Sequence, residues 1–388
     1  MSLAGAMWFA VQDDLYSACN DTTTTTSSNS SSTQEKHPIQ NSISTNIIVP
    51  VLASDTHTLL DRLDDRFLSQ CFHLNRQCLR FIVDFIQARL KKDVFAASYN
   101  LSSSEAKILA TLSFYAHGSL PCKVTDRLGI DQTSAGEAVK SLTKLLSGMS
   151  PDFITFPYSY NDRMGAAQAF KNISGIPHVV GVLGYLHVKV TPPPGEEYMY
   201  MNSLGYHSVM MQVIFDVDGN LLSVEQCWPG GTPEDSVWAS SDIGKQFSTF
   251  RHGHTWVLGG RGLFGGGHVL TPVDPSRLKS NAAHRFNKAH AQVYGRMQQV
   301  FGSLKSRFQC LRDFGSIQTL ESVACTITAC CVLHNISKKF SVQLPWDFAI
   351  EPLHPFSEVN YTADPPYNYM QETKDEMIGM FFTSAEDN

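Results

Sequence analysis

Asp216, Asp218, Glu225 and Asp235 are the acids whose spacing first suggests a hard-cation site. Grouped carboxylates hold Mg2+ or Mn2+ through anionic oxygens, and such ions activate water for phosphodiester hydrolysis. Local chemistry already accounts for most of them. Asp216 and Asp218 lie in Asp-Val-Asp-Gly, the composition of a hairpin turn. Asp235 follows Thr232, Pro233 and Glu234, which read as an N-cap, a first-turn proline and a first-turn acid. Asp216 and Asp235 therefore stay as weak metal candidates. Cys325, Cys330, Cys331 and His334 have the side chains of a zinc site, but they share one helical run at unsuitable spacing and read as core. Gly265-Gly266-Gly267 has neither the Gly-Lys-Ser/Thr signature nor the helix start of a phosphate loop, and reads as a flexible connection.

Electrostatics gives a stronger signal. The formal charge is −6, which hides a segregation. From Ser276 to Arg312 the bases Arg277, Lys279, Arg285, Lys288, Arg296, Lys305, Arg307 and Arg312 meet no acid, giving +8. From Trp346 to Asn388 nine acids face only Lys374, giving −8. The basic stripe is read as a polyanion surface, with Arg277, Lys279, Arg285, Lys288, Arg296, Lys305 and Arg307 as its DNA-phosphate contacts. The bland alternative is a solvated helix face. The acidic tail is read as solvated and disordered, because Pro355, Pro365 and Pro366 break its periodicity.

With 388 residues, 43% of them hydrophobic and 17% charged, the chain is large enough for a substantial core. The absence of any run of eighteen apolar residues gives no sign of a membrane span, and residues 3–11 lack the basic lead-in of a signal peptide. Nine cysteines without framework spacing read as reduced thiols, which fits cytosol or nucleus. Residues 1–54, rich in Ser and Thr, read as a disordered leader. Residues 55–150 follow a helical period and include a helix from about Pro121 to Leu128, a turn at Gly129 and a longer helix through Leu146. Ser102 and Glu105 fit a capping box. Beyond Pro151 the period switches to two: strands are expected at Val179–Val190, His207–Phe215, Leu221–Cys227 and Thr255–Leu258. A helix runs from Thr232 towards Phe247 between the third and fourth. One long helix then carries Val293 to Phe308, and another Leu320 to Ile336.

The order βββαβ, then α, is that of a ribonuclease-H-like domain, so the expected class is α/β (α+β) with a helical region ahead of it. In nucleases of this fold three acids, on the first strand, the fourth strand and a later helix, hold two ions about 3.5 to 4 Å apart. Eight blocks between Leu60 and Pro345 carry a closer resemblance. They are Leu63-Asp64-Asp65, Leu112-Ser113-Phe114-Tyr115, Gly181-Val182-Leu183-Gly184-Tyr185-Leu186-His187-Val188, Trp228-Pro229-Gly230, Trp256-Val257-Leu258-Gly259-Gly260, Phe286-Asn287-Lys288-Ala289-His290, Ser306-Arg307-Phe308-Gln309-Cys310-Leu311 and Cys330-Cys331-Val332-Leu333-His334-Asn335-Ile336-Ser337. In these the chain resembles the Harbinger transposase-derived nucleases, domesticated relatives of the PIF/Harbinger DDE transposases.

The resemblance implies a metal-dependent endonuclease, but its three acids do not carry over. The first-strand Asp falls on Gly184, the fourth-strand Asp on Gly260 and the helix Glu on Gln298. Glycine offers no ligand, and a neutral amide is a weak one for a hard cation. The expectation is thus a catalytically inactive domesticated transposase without a resident cofactor, kept as a nuclear DNA- or chromatin-associated binding protein. His187, His290 and His334 match family positions and read as packing or hydrogen-bonding histidines. By resemblance the partners are DNA or chromatin, a Myb/SANT-like DNA-binding protein and a second copy of the chain, in the nucleus or additionally the cytoplasm. Two alternatives stand beside this reading: an active Mg2+- or Mn2+-dependent endonuclease using other acids, and a protein scaffold without DNA binding.

Overall fold

The computed structural model describes residues 58–92, 101–260, 263, 268–317, 319–344 and 369–383. The expected leader and the triple glycine lie outside the described residues.

Six helices open the chain: α1 (Asp65–Phe72), α2 (Arg76–Lys92), α3 (Leu101–His117), α4 (Cys122–Leu128), α5 (Gln132–Gly148) and the single turn α6 (Ser150–Phe153). Asp64 and Asp131 cap α1 and α5, each accepting a backbone N–H three residues on. Gly129 turns α4 into α5 at a φ of 66°, a left-handed conformation that costs glycine little. The capping box is not formed as expected. Helix α3 starts ahead of Ser102, and the Glu105 carboxylate accepts the backbone N–H groups of Leu59 and Leu60, at 2.9 and 3.0 Å. It caps a 3-10 turn of the preceding segment.

Helix α7 (Tyr160–Ser174), capped by Ser159, leads into the sheet. Strands β1 (Val179–Thr191), β2 (Ser208–Phe215) and β3 (Leu221–Pro229) form an antiparallel meander, with the short helix α8 (Glu197–Tyr200) in the first connection. The chain then crosses over through α9 (Glu234–Ser240) and α10 (Asp242–Ser248) to β4 (Trp256–Leu258), which lies parallel to β1. Sheet order is β3-β2-β1-β4-β5, where β5 is Val269–Leu270, and β6 (Asp313–Ser316) pairs with the far end of β1. The four expected strands end within about two residues of their expected bounds. The two unexpected strands are too short to show a period.

Two other expectations change. The helix expected from Thr232 is broken at Ser241, whose hydroxyl caps α10 through the Gly244 N–H at 3.0 Å. The long helix is two, α11 (Asn281–Tyr294) and α12 (Arg296–Arg307), parted at Gly295. Helix α13 (Leu320–Lys339) follows, and α14 (Tyr369–Phe382) lies against α11. Among the described residues α13 alone has the length and apolarity to cross a membrane. That surface is used inside the protein, where α13 packs on α5, β2 and β3 and buries Ile327, Cys330, Cys331 and Leu333.

Apolar residues alternate across β1 to cover both faces of the sheet. Val182, Leu186 and Val188 join a core shared with α1 to α5 and α11 to α13. Leu183 and Tyr185 face the smaller cluster of Val237, Trp238, Ile243 and Phe247 under the crossover. Each fully buried side chain of this size stabilises by about 1.5–3 kcal/mol relative to exposure. The helical region and the sheet thus share one apolar core.

Candidate active site and basic surface

The parallel register aligns Val182 with Leu258; Gly184 lies two residues further along β1, and Gly260 two residues past the end of β4. Met297 and Phe301 of α12 lie against Gly184, and Tyr294 at the end of α11 lies against Gly260. At both glycine positions where the resemblance implies acids, the space is taken. A Cβ on Gly184 would fall on the Sδ of Met297, with the Met297 Cγ at 3.1 Å and the Phe301 Cζ at 3.2 Å. A Cβ on Gly260 would lie 2.7 Å from the Tyr294 hydroxyl. Met297, Phe301 and Tyr294 are buried, while Gln298 is half-buried between them in sequence.

A divalent cation does not fit these residues. A thioether, a phenol and an amide replace the carboxylates a hard ion requires. The sequence-derived stand-ins do not repair the loss. Asp216 accepts the N–H groups of Asp218 and Asn220 on Oδ1, at 2.9 and 2.8 Å, and the Asn220 amide on Oδ2 at 2.7 Å. It closes the β2–β3 turn. Glu225 accepts the Asp242 N–H at 2.8 Å. Asp235 is half-buried in the first turn of α9, next to Glu234. The Glu234 carboxyl is pushed up to about 7, first by burial and then by the charge of Asp235. Among the described residues no group of three His, Cys, Asp or Glu is placed to hold a metal ion.

The three histidines are structural. His187 Nδ1 shares a hydrogen bond with the Ser208 hydroxyl at 2.9 Å. His290 Nε2 lies 3.1 and 3.2 Å from the Gly259 and Leu270 carbonyl oxygens, tying β4 to β5. His334 Nε2 donates to the Gly219 carbonyl at 3.0 Å, so it braces the β2–β3 turn. Cys330 and Cys331 are fully buried thiols held far above the ordinary thiol range by burial. Cys122, by contrast, is exposed.

The basic stripe divides in two. Arg277, Lys279 and Lys288 are exposed, the first two beside and the third on α11. Lys305 is half-buried, and its charge helps hold His187 down at about 4, after burial. The remaining three are anchored. Arg285 donates from Nε to the Phe382 carbonyl at 2.7 Å, and Arg296 from Nη1 to the Val217 carbonyl at 2.6 Å. Arg307 is only 4% exposed, donates to the His73 and Val342 carbonyls at 2.6 and 2.8 Å, and is drawn down to about 10 by burial. The assignment of Arg307 as a phosphate contact is corrected: its guanidinium clamps the helical region to the end of α13. The signal was in the sequence, since Val300, Leu304 and Arg307 share one helix face at spacings of four and three. The solvated tail is corrected as well, because Tyr369–Phe382 is a helix docked on α11.

Among known families, the sequence model of the DDE superfamily endonucleases matches residues 184–335, the stretch that holds all three degenerate positions. The fold and this match define an α+β domain of the ribonuclease-H-like, DDE class. "Putative nuclease HARBI1" of Bos taurus and of Homo sapiens are each 32% identical over 280 residues, covering 72% of this chain and 79% of theirs. "Protein ALP1-like" of Arabidopsis thaliana is 21% identical over 322 residues, 77% of this chain and 76% of its own. No solved structure matches. The chain belongs to the Harbinger transposase-derived nuclease family.

Proposed function

We propose that the protein is a catalytically inactive member of its family that acts as a nuclear DNA- or chromatin-associated binding protein. The observation that carries this reading is the filling of the acid site by Met297 and Tyr294 while Arg277, Lys279 and Lys288 stay in solvent. Phosphate contacts need only arginine and lysine, and no metal. Binding therefore outlasts cleavage on physical grounds. Recognition of particular sites and nuclear entry fall to a Myb/SANT-like partner, and a second copy of the chain joins through the helical region. Both follow from the family resemblance.

The test is duplex binding as a function of salt. Each neutralised phosphate contributes about 0.9 to the slope of log affinity on log salt. Combining Arg277→Ala, Lys279→Ala and Lys288→Ala should lower affinity on every sequence and reduce that slope by about 2 to 3. An unchanged slope removes this surface from DNA binding and leaves the scaffold reading in front.

A further inference from the structure

Helix α14 reaches the described core after residues 345–368 and docks on α11, the helix that bears Arg285 and Lys288. Its docking face is specific. Met377 and Ile378 are 7% and 5% exposed, and the Phe382 ring meets Phe286 edge-on at 5.6 Å. Beyond the apolar contact, the Phe382 carbonyl takes the Arg285 guanidinium, and Lys171 of α7 sits over the Phe381 ring at 5.9 Å. The opposite face exposes Glu372, Asp375 and Glu376.

We propose that α14 is an autoinhibitory cover: it occupies Arg285 and lays three carboxylates beside the basic surface, so that polyanions bind strongly only when it lifts. This rests on the DNA-binding reading above. Asp375 of α14 and Arg277 of the basic surface both act on the Lys374 ammonium, and carboxylates within a Debye length of about 8 Å of a basic surface oppose an approaching phosphate. Glu372, Asp375 and Glu376 are thus opposite in charge to the surface that α14 would cover. The dock also contains its own weakness. Lys374 is 6% exposed, its Nζ donates to the Thr271 carbonyl at 3.3 Å, and burial lowers its pKa to about 8 although the charges of Asp375 and Asp274 act to raise it. The desolvation of this buried ammonium outweighs the attraction of both carboxylates, which keeps the helix close to release.

Two substitutions in the full chain push the equilibrium in opposite directions. Ile378→Asp puts a charge into the dock and should release α14, while Lys374→Met removes the buried charge and should tighten it. Hydrogen exchange over 372–382 reads the helix, and fluorescence anisotropy with a labelled duplex reads binding. The expected result is lost protection with an affinity gain of about five- to tenfold for Ile378→Asp, and a fall with raised protection for Lys374→Met. Binding by Ile378→Asp but not by the unmodified chain supports the cover in its strongest form. A released helix with unchanged or weaker affinity, or a tightened one with unchanged affinity, overturns the cover and leaves DNA binding standing. If none of the three chains binds duplex, the DNA-binding reading fails and the cover falls with it. Should Ile378→Asp not fold, the Lys374→Met comparison decides alone.

Discussion

The acid site and the basic surface both draw on α11, through Tyr294 and Lys288, yet they have changed in different ways. At the acid site the functional groups are absent and the space has closed, with Met297 over Gly184 and Tyr294 at Gly260. At the surface the charges remain but have been divided between anchors and outward-facing groups. A cavity left by lost carboxylates loses contacts on its walls, and a neighbouring side chain that fills it restores them. No such pressure acts on solvated lysines and arginines. On the proposed reading, packing at Met297 and Tyr294 opposes any return of the carboxylates, whereas charge can persist without such packing.

The comparison breaks most readily at Gly184. Gly184→Asp would press a buried carboxylate onto Met297, and a loss of about 4 kcal/mol or more in urea unfolding is expected from overpacking and an unpaired buried charge. Gly184→Ala and Met297→Ala should be less than additive, by about 1 kcal/mol, because each relieves the other. Additive costs would mean that Met297 does not fill that space.

Next in size is Arg307 against Arg277. Arg307→Ala should cost about 2–4 kcal/mol by orphaning the His73 and Val342 carbonyls and emptying a buried site. Arg277→Ala should stay within about 0.5 kcal/mol. Equal effects would erase the division between anchors and outward-facing charges.

The smallest effect is in pH. His187, His252 and His334 are each lowered to about 4, with burial the leading cause. Their folded state favours the neutral ring, so this stability is complete above about 6.5 and is lost as pH falls towards 4. Glu234, raised to about 7, works in the other direction: its contribution is complete below about 4.5 and is lost as pH rises through 7. Between pH 5 and 7.5 the urea midpoint of Glu234→Gln should rise relative to that of the unmodified protein, because the substitution removes a loss that runs against the gain from the histidines. A slope unaltered by that substitution would put the titrating group elsewhere.

Much of this was legible before the structure. Period-two patterns located β1 to β4, and the turn read at Gly129 located the α4–α5 connection. What stayed hidden depended on contacts between distant segments. Gly184 and Gly260 reveal a missing ligand, but Met297 and Tyr294 look like ordinary apolar helix positions until strand register brings them together. The docking of α14 was masked by the prolines and acids that precede it, because composition averages over a segment whose last part carries Met377, Ile378 and Phe382 on one face. Arg307 was misread for the opposite reason: charge was counted along the chain, without asking which face of the helix each residue occupied.

Under the proposed function the fold binds DNA while its acid site is closed to metal chemistry. Labelled duplex incubated with the full chain and Mn2+, run on native and denaturing gels, tests it most directly. A shift without cutting is expected, and still no cutting from Gly184→Asp, Gly260→Asp and Gln298→Glu combined while Met297 and Tyr294 remain in place. Cutting by the unmodified chain that a chelator abolishes would contradict the claim and return attention to Glu234 and Asp235.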